Sequence, residues 1–168
     1  MRLFRNRLRE AKTTAMPVDV QLASHSAVPD TALIRKWAEG ALCAPVQSSR
    51  PAREGEVCVR VVDEDESRRL NRDYRHRDAP TNVLSFPAAI DLPDALVWGD
   101  VVVCAPVVQR EADAQGKPYE GHFAHVVVHG VLHLLGYDHQ AAAAAAAMEK
   151  LEIRILDGFG ISDPYGEG

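Results

Sequence analysis

The stretch His129-Gly130-Val131-Leu132-His133-Leu134-Leu135-Gly136-Tyr137-Asp138-His139 decides how the rest of the chain is read. In a helix, side chains four residues apart lie one above the other on the same face. His129 and His133 therefore aim two imidazoles at one point. Gly136 tolerates the left-handed conformation that ends many helices, so it gives the chain a place to turn. The turn brings His139 back towards the same point. Three nitrogen ligands leave one tetrahedral position open, which is the ligand count of a catalytic zinc rather than a structural one. Val126, Val127, Val128, Val131, Leu132, Leu134 and Leu135 flank the histidines and bury the helix.

The zinc-peptidase helix reads H-E-x-x-H, and its extended form adds Gly and a third His at the spacing found here. The chain departs at one position: Gly130 stands where the general-base Glu belongs. A metal at this site still lowers the pKa of bound water to about 7. Some other group, or the substrate itself, must then handle the proton, and ordinary peptide hydrolysis is disfavoured.

Outward from this helix, the remainder predicts an α+β fold. The 168 residues, 46% hydrophobic and 26% charged with a net charge of −5, suit a soluble globular chain. The negative balance excludes a global nucleic-acid footprint, so any such contact is local. Cys43, Cys58 and Cys104 have neither disulfide nor metal-ligand spacing. They read as small buried hydrophobes in a reducing cytoplasm. No apolar run reaches transmembrane length. Residues 1–16 are basic, with no apolar stretch after them, and read as a mobile N-terminal extension rather than a secretory signal. Residues 17–168 read as a single catalytic domain.

Strands are expected at Val18–Leu22, Glu56–Val62, Val83–Phe86 and Trp98–Cys104, giving a small mixed four-stranded sheet covered by helices. Pro29-Asp30 opens a helix whose Leu33, Ile34, Trp37, Ala38 and Leu42 share one face. Gln47–Glu54 and Pro87–Leu96 read as loops. Asp63 and Glu66 have capping-box spacing before a helix that Asp78–Asn82 breaks. Further helices run from Pro106 to Gln115, from Tyr119 to Leu135, and through the alanine run 141–147 to Gly158 or Gly160. The last carries a core face of Met148, Leu151, Ile155 and Leu156.

Four other features carry candidate chemistry. His125 and His129 also have i, i+4 spacing. His125 and His133 lie about 12 Å apart along the axis, too far to share one ion. His125 is therefore assigned a structural or pocket-lining role, and His122 is expected to face solvent. Arg68, Arg69, Arg72, Arg75 and Arg77 form a basic stretch whose charge Asp63–Glu66 largely cancels, so a solvated face is one reading. Arg75, near the helix end, is placed to hold a phosphate bidentately. Asp138 serves either as an acceptor for a ligand's free N–H or as a simple cap.

The stretch 129–139 closely resembles the signature of the YbeY family, the bacterial rRNA-maturation endoribonucleases. So does Leu70-Asn71-Arg72-Asp73-Tyr74-Arg75-His76-Arg77-Asp78-Ala79-Pro80-Thr81-Asn82-Val83-Leu84-Ser85-Phe86-Pro87. Gly99-Asp100-Val101-Val102-Val103 is similar to the family's Gly-Asp strand, and Leu151–Tyr165 to its C-terminal helix and Asp-Pro-Tyr ending. The resemblance spans Val18–Tyr165 and says nothing of residues 1–16.

This resemblance implies a central sheet with helices on both sides and a zincin-like metal-binding helix at the active cleft. It implies one zinc ion (Zn2+) per chain, held by His129, His133 and His139, and a family that also lacks the peptidase Glu. The implied activity is single-strand-specific endoribonuclease, acting in 16S rRNA 3′-end maturation and ribosome quality control. Arg75 matches the Arg of the family's Tyr-Arg pair and takes a catalytic or RNA-contacting role. The implied partners are ribosomal RNA, the small ribosomal subunit, one of its proteins and an assembly GTPase. A cytoplasmic location without membrane attachment follows. The metal activates a water or polarises a phosphoryl oxygen, and the substrate 2′-OH remains an alternative nucleophile. Two rival readings are a metallopeptidase of H-x-x-x-H type and a non-catalytic ribosome assembly factor with structural zinc.

Overall fold

Two valine-rich runs form the middle of the sheet. Val57, Val59, Val61 and Val62 in one, and Val101, Val102 and Val103 in the other, are all buried. Strands covered on both faces read as continuous apolar stretches rather than alternating ones. The computed structural model describes residues 18–45, 55–88, 91–92 and 95–166. Residues 1–16 and the whole of the Gln47–Glu54 loop lie outside them.

The elements run β1 (Val18–Ala23), α1 (Thr31–Leu42), β2 (Gly55–Val62), α2 (Glu64–Arg75), β3 (Val83–Pro87), β4 (Asp91–Leu92), β5 (Ala95–Cys104), α3 (Ala105–Gln115), α4 (Tyr119–Leu134) and α5 (Ala142–Asp157). The strand order is β1-β2-β5-β3, with β1, β2 and β5 parallel and β3 antiparallel at the edge. The mixed sheet expected from the sequence is therefore present. It carries one addition: β5 starts at Ala95, and β4 folds back to pair with its first residues. The Pro87–Leu96 span is thus not all loop. A two-residue strand is too short to show a periodicity.

The register sorts the side chains into two layers. Val59, Val61, Val101 and Val103 join Ile34, Trp37, Phe123, Val127 and Val131 in one core, so α1 and α4 cover that face. Val62, Leu84, Val102 and Cys104 face the other way and pack with Leu70 of α2. Helix α5 lies outside α4 and reaches the same core through Met148 and Leu156. Among the described residues, no helix is long and apolar enough to cross a membrane.

Polar anchors hold α2 and the turn after it. Ser67 Oγ donates to the Thr81 carbonyl at 2.9 Å, and Asn71 Nδ2 to that of Ala79 at 2.8 Å. Arg60 of β2 grips Glu66 with two bonds, at 2.8 and 3.1 Å. The capping box expected of Asp63 and Glu66 does not form. Asp63 holds the N-cap position, but its side chain makes no cap hydrogen bond. Its carboxylate instead accepts from Ser24 Oγ and, at 3.0 Å, from the backbone N–H of His25. A partner from β1's end outcompetes the local one. Cys58 and Cys104 are buried as expected, whereas Cys43 is exposed because it sits at the C-cap of α1, past the last buried turn.

Candidate metal centre

Helix α4 ends as the sequence requires. Gly136 has φ +97°, its N–H bonds the His133 carbonyl at 3.1 Å, and the Tyr137 N–H reaches back to Leu132 at 3.1 Å. This paired pattern is a Schellman motif, and it reverses the chain within three residues. Tyr137 then anchors the turn by donating its hydroxyl to the Pro45 carbonyl at 2.7 Å. His139 returns to the end of α4.

The three histidines converge. Ring centroids of His129 and His133 lie 4.6 Å apart, those of His133 and His139 5.0 Å, and those of His129 and His139 5.7 Å. One nitrogen from each falls within 4.8 Å of the other two. The Nε2 atoms of His129 and His133 are 3.0 Å apart. Two nitrogens on one tetrahedral zinc, each bonded at ~2.0–2.1 Å, lie roughly 3.3 Å from each other. That pair therefore fits the ion with little adjustment, and His139 brings a third nitrogen within 4.8 Å of both. Burial, and then the neighbouring His129 and His139, push the His133 imidazole down to about 4. It is neutral near pH 7, as a ligand must be.

Gly130 has a steric reason. A Cβ built there would meet Val101 Cγ1 at 2.6 Å and Val83 Cγ2 at 3.0 Å. The helix lies so close to β5 and β3 that Ser85 Oγ donates to the Gly130 carbonyl at 2.8 Å. A peptidase Glu has no space at this position.

Behind the trio stands a residue that the sequence reading missed. Glu152 of α5 is fully buried, at 0% exposure. His129 Nδ1 lies 2.6 Å from its Oε1, and His125 Nε2 3.1 Å from its Oε2. The Tyr165 hydroxyl donates to the same Oε2. Burial pushes this carboxyl up, but the bonds from His125, His129 and Tyr165 outweigh burial and hold it at about 2. Burial and the bond to Glu152 in turn raise the Tyr165 phenol. The available signal was a lone Glu inside the apolar face of Met148, Leu151, Ile155 and Leu156. His125, His129 and Glu152 form a second group whose donor atoms also fall within 4.8 Å of one another. A cavity of about 210 Å³ opens beside the centre, lined in part by His129, His139, Glu149, Glu152 and Tyr165.

The other candidates are placed as follows. His122 is not solvent-facing: it is 7% exposed, and its Nε2 lies 2.8 Å from Glu111 Oε2 of α3. Asn82 Nδ2 reaches the same oxygen at 3.1 Å. Helical position alone could not reveal that α3 covers this part of α4. His125 lies against Glu152 and Tyr165, which fits its structural assignment. Asp138 caps neither helix and instead braces the loop, its Oδ1 accepting the His139 N–H at 2.7 Å and the Gln140 N–H at 3.2 Å. Arg75 is exposed at the last position of α2. Among the described residues, no hydrogen bond or ring contact joins it to the three histidines. Helix α2 packs on the opposite face of the sheet from α4.

Known proteins match this arrangement along most of its length. A family model described as Endoribonuclease YbeY matches residues 20–160. A protein named Endoribonuclease YbeY from Alkalilimnicola ehrlichii is 55% identical over 156 residues, covering 90% of this chain and 92% of that one. Its namesake from Methylococcus capsulatus is 53% identical over 150 residues, covering 88% and 94%. The solution structure of TM1509 from Thermotoga maritima superposes with a TM-score of 0.53 at 25% identity, covering 89% of this chain and all of that one. With the family model spanning the sheet, the three histidines and Glu152, the chain belongs to the YbeY family of endoribonucleases.

Proposed function

We propose that this chain is a zinc-dependent, single-strand-specific endoribonuclease that acts in 3′-end maturation of 16S ribosomal RNA and in ribosome quality control. It works in the cytoplasm on ribosomal RNA within the small subunit, alongside a small-subunit protein and an assembly GTPase. His129, His133 and His139 hold one zinc ion. The observation that carries this reading is the convergence of three imidazoles beside a cavity that can admit a phosphodiester.

Bound zinc supplies Lewis acidity at a phosphoryl oxygen and lowers the pKa of a coordinated water. His129, His133 and His139 would hold the ion beside the cavity in which the reacting phosphate would sit. Arg75 offsets the charge that builds on the phosphorus oxygens. The crowding at Gly130 supports RNA over peptide, because it leaves no place for a carboxylate base on α4. His129→Ala and Arg75→Ala are each expected to lower cleavage of a structured precursor RNA by about 10²-fold or more, as loss of one transition-state donor does. Full activity in both variants overturns the mechanism.

A further inference from the structure

We propose that Glu152 is a positioning residue for the metal, and that the C-terminal tail holds it in place through Tyr165. Glu152 fixes the tautomer and ring plane of His129. This inference rests on the zinc reading above.

Three polar atoms, His125 Nε2, His129 Nδ1 and the Tyr165 hydroxyl, converge on the two oxygens of Glu152, and a carboxylate accepts from each of them. His129 Nδ1, 2.6 Å from Glu152 Oε1, therefore carries the ring proton. A neutral imidazole has one N–H, so His129 Nε2 is left with its lone pair. That nitrogen is the one 3.0 Å from His133 Nε2, on the side where the three histidines meet. The opposite tautomer would place a proton where the ion must sit and leave the carboxylate facing a bare nitrogen.

The second His–Glu group is not a rival metal site. Two ligand atoms sharing one ion at ~2.0–2.2 Å stand roughly 3.3 Å apart. The His129–Glu152 separation of 2.6 Å is a charge-assisted hydrogen bond, with a proton between the atoms.

Glu152 is itself held from two directions. His125, one turn before His129 on α4, takes Oε2. Tyr165 reaches the same oxygen from the tail beyond α5. That tail is anchored twice: Ile161 packs on the core and Lys117 Nζ donates to the Pro164 carbonyl. Within the tail, Asp163 Oδ1 accepts the Tyr165 N–H at 2.8 Å and fixes its turn. A stretch of chain far in sequence from all three ligands thereby sets the angle of one of them.

The test uses the full chain. Nitrogen-15 NMR of the metal-free wild type should show His129 as the Nδ1–H tautomer, and Glu152→Gln should shift that ring towards the other form. In chelator competition, Glu152→Gln should bind zinc about 10–100-fold more weakly. Tyr165→Phe should weaken binding by roughly 3-fold, the loss of one donor. Tyr165 is 46% exposed, so this variant leaves the core closed and keeps the proposal testable even if Glu152→Gln does not fold. Nδ1 found unprotonated in the wild type, equal zinc affinity in folded Glu152→Gln, or two zinc ions per chain would each overturn the proposal. A wild type that takes up no zinc overturns the metal reading itself, a result distinct from wild type and Glu152→Gln binding equally well.

Discussion

The two halves of α4 carry the same residue type and put it to different use. His122 and His125 lie in the N-terminal half, His129 and His133 in the C-terminal half, and all four sit within one helix. His122 spends its Nε2 on Glu111, and His125 its Nε2 on Glu152. His129 gives Glu152 only Nδ1, so its Nε2 stays available, and His133 turns its Nε2 to the same point. What separates proposed ligand from support is which ring nitrogen the carboxylate takes. Glu111 and Glu152 take Nε2 of His122 and His125, whereas on His129 Glu152 takes Nδ1 and leaves Nε2 for the point that His133 also faces.

The sharpest way to break this comparison is to remove one ring from the C-terminal half. His133→Ala should abolish stoichiometric zinc and cost more than the ~10–100-fold typical of outer partners. Metal content by elemental analysis, alongside cleavage of single-stranded RNA, checks it. Retained zinc at one per chain would mean that the ion sits elsewhere.

Gly130→Ala probes the contact of the C-terminal half with the sheet. The added methyl meets Val101 and Val83 at 2.6 and 3.0 Å, and both belong to packed strands that cannot swing away. Overpacking of this kind costs about 1–3 kcal/mol, which for a chain of this size lowers Tm by roughly 2–4 °C per kcal/mol. Calorimetry gives the answer. An unchanged Tm would show that α4 can lift from the sheet.

His122→Phe tests the other half. The ring shape is kept and the bond to Glu111 is lost, while Asn82 still satisfies that carboxylate. Stability should fall by about 1 kcal/mol, the net worth of one such bond. Zinc stoichiometry and RNA cleavage should not move. If zinc falls with it, the division within α4 is wrong.

Much of this was legible in the sequence, and the reason is locality. The three-histidine set depends on helical spacing and one glycine, both of which act within eleven residues of chain. The strands from Val57 and Val101 announce themselves by composition. What the sequence concealed depends on partners distant in the chain. Glu152 lies 23 positions from His129, and its place inside the apolar face of α5 does not say which residue it meets there. His122 reads as exposed until α3 is laid against it. β4 is too short to have a pattern.

Asp63 is the smallest instance of the same lesson, and it can be measured. The sequence offers it as a cap for α2, and the fold gives its carboxylate to Ser24 and His25. The Ser24 hydroxyl, then the His25 backbone N–H, hold this carboxyl at about 2, below its ordinary 3.8. A carboxyl whose folded-state pKa is depressed adds stability above its unfolded value and loses it as pH falls through the folded one. Asp63→Asn should therefore lie below wild type in urea midpoint at pH 6, with the gap closing as pH falls from about 4 towards 2. The effect is small because the pair is open to solvent. A gap that stays constant with pH would mean that charge on Asp63 contributes nothing, and that uncharged hydrogen bonds from Ser24 and His25 tie β1's end to α2.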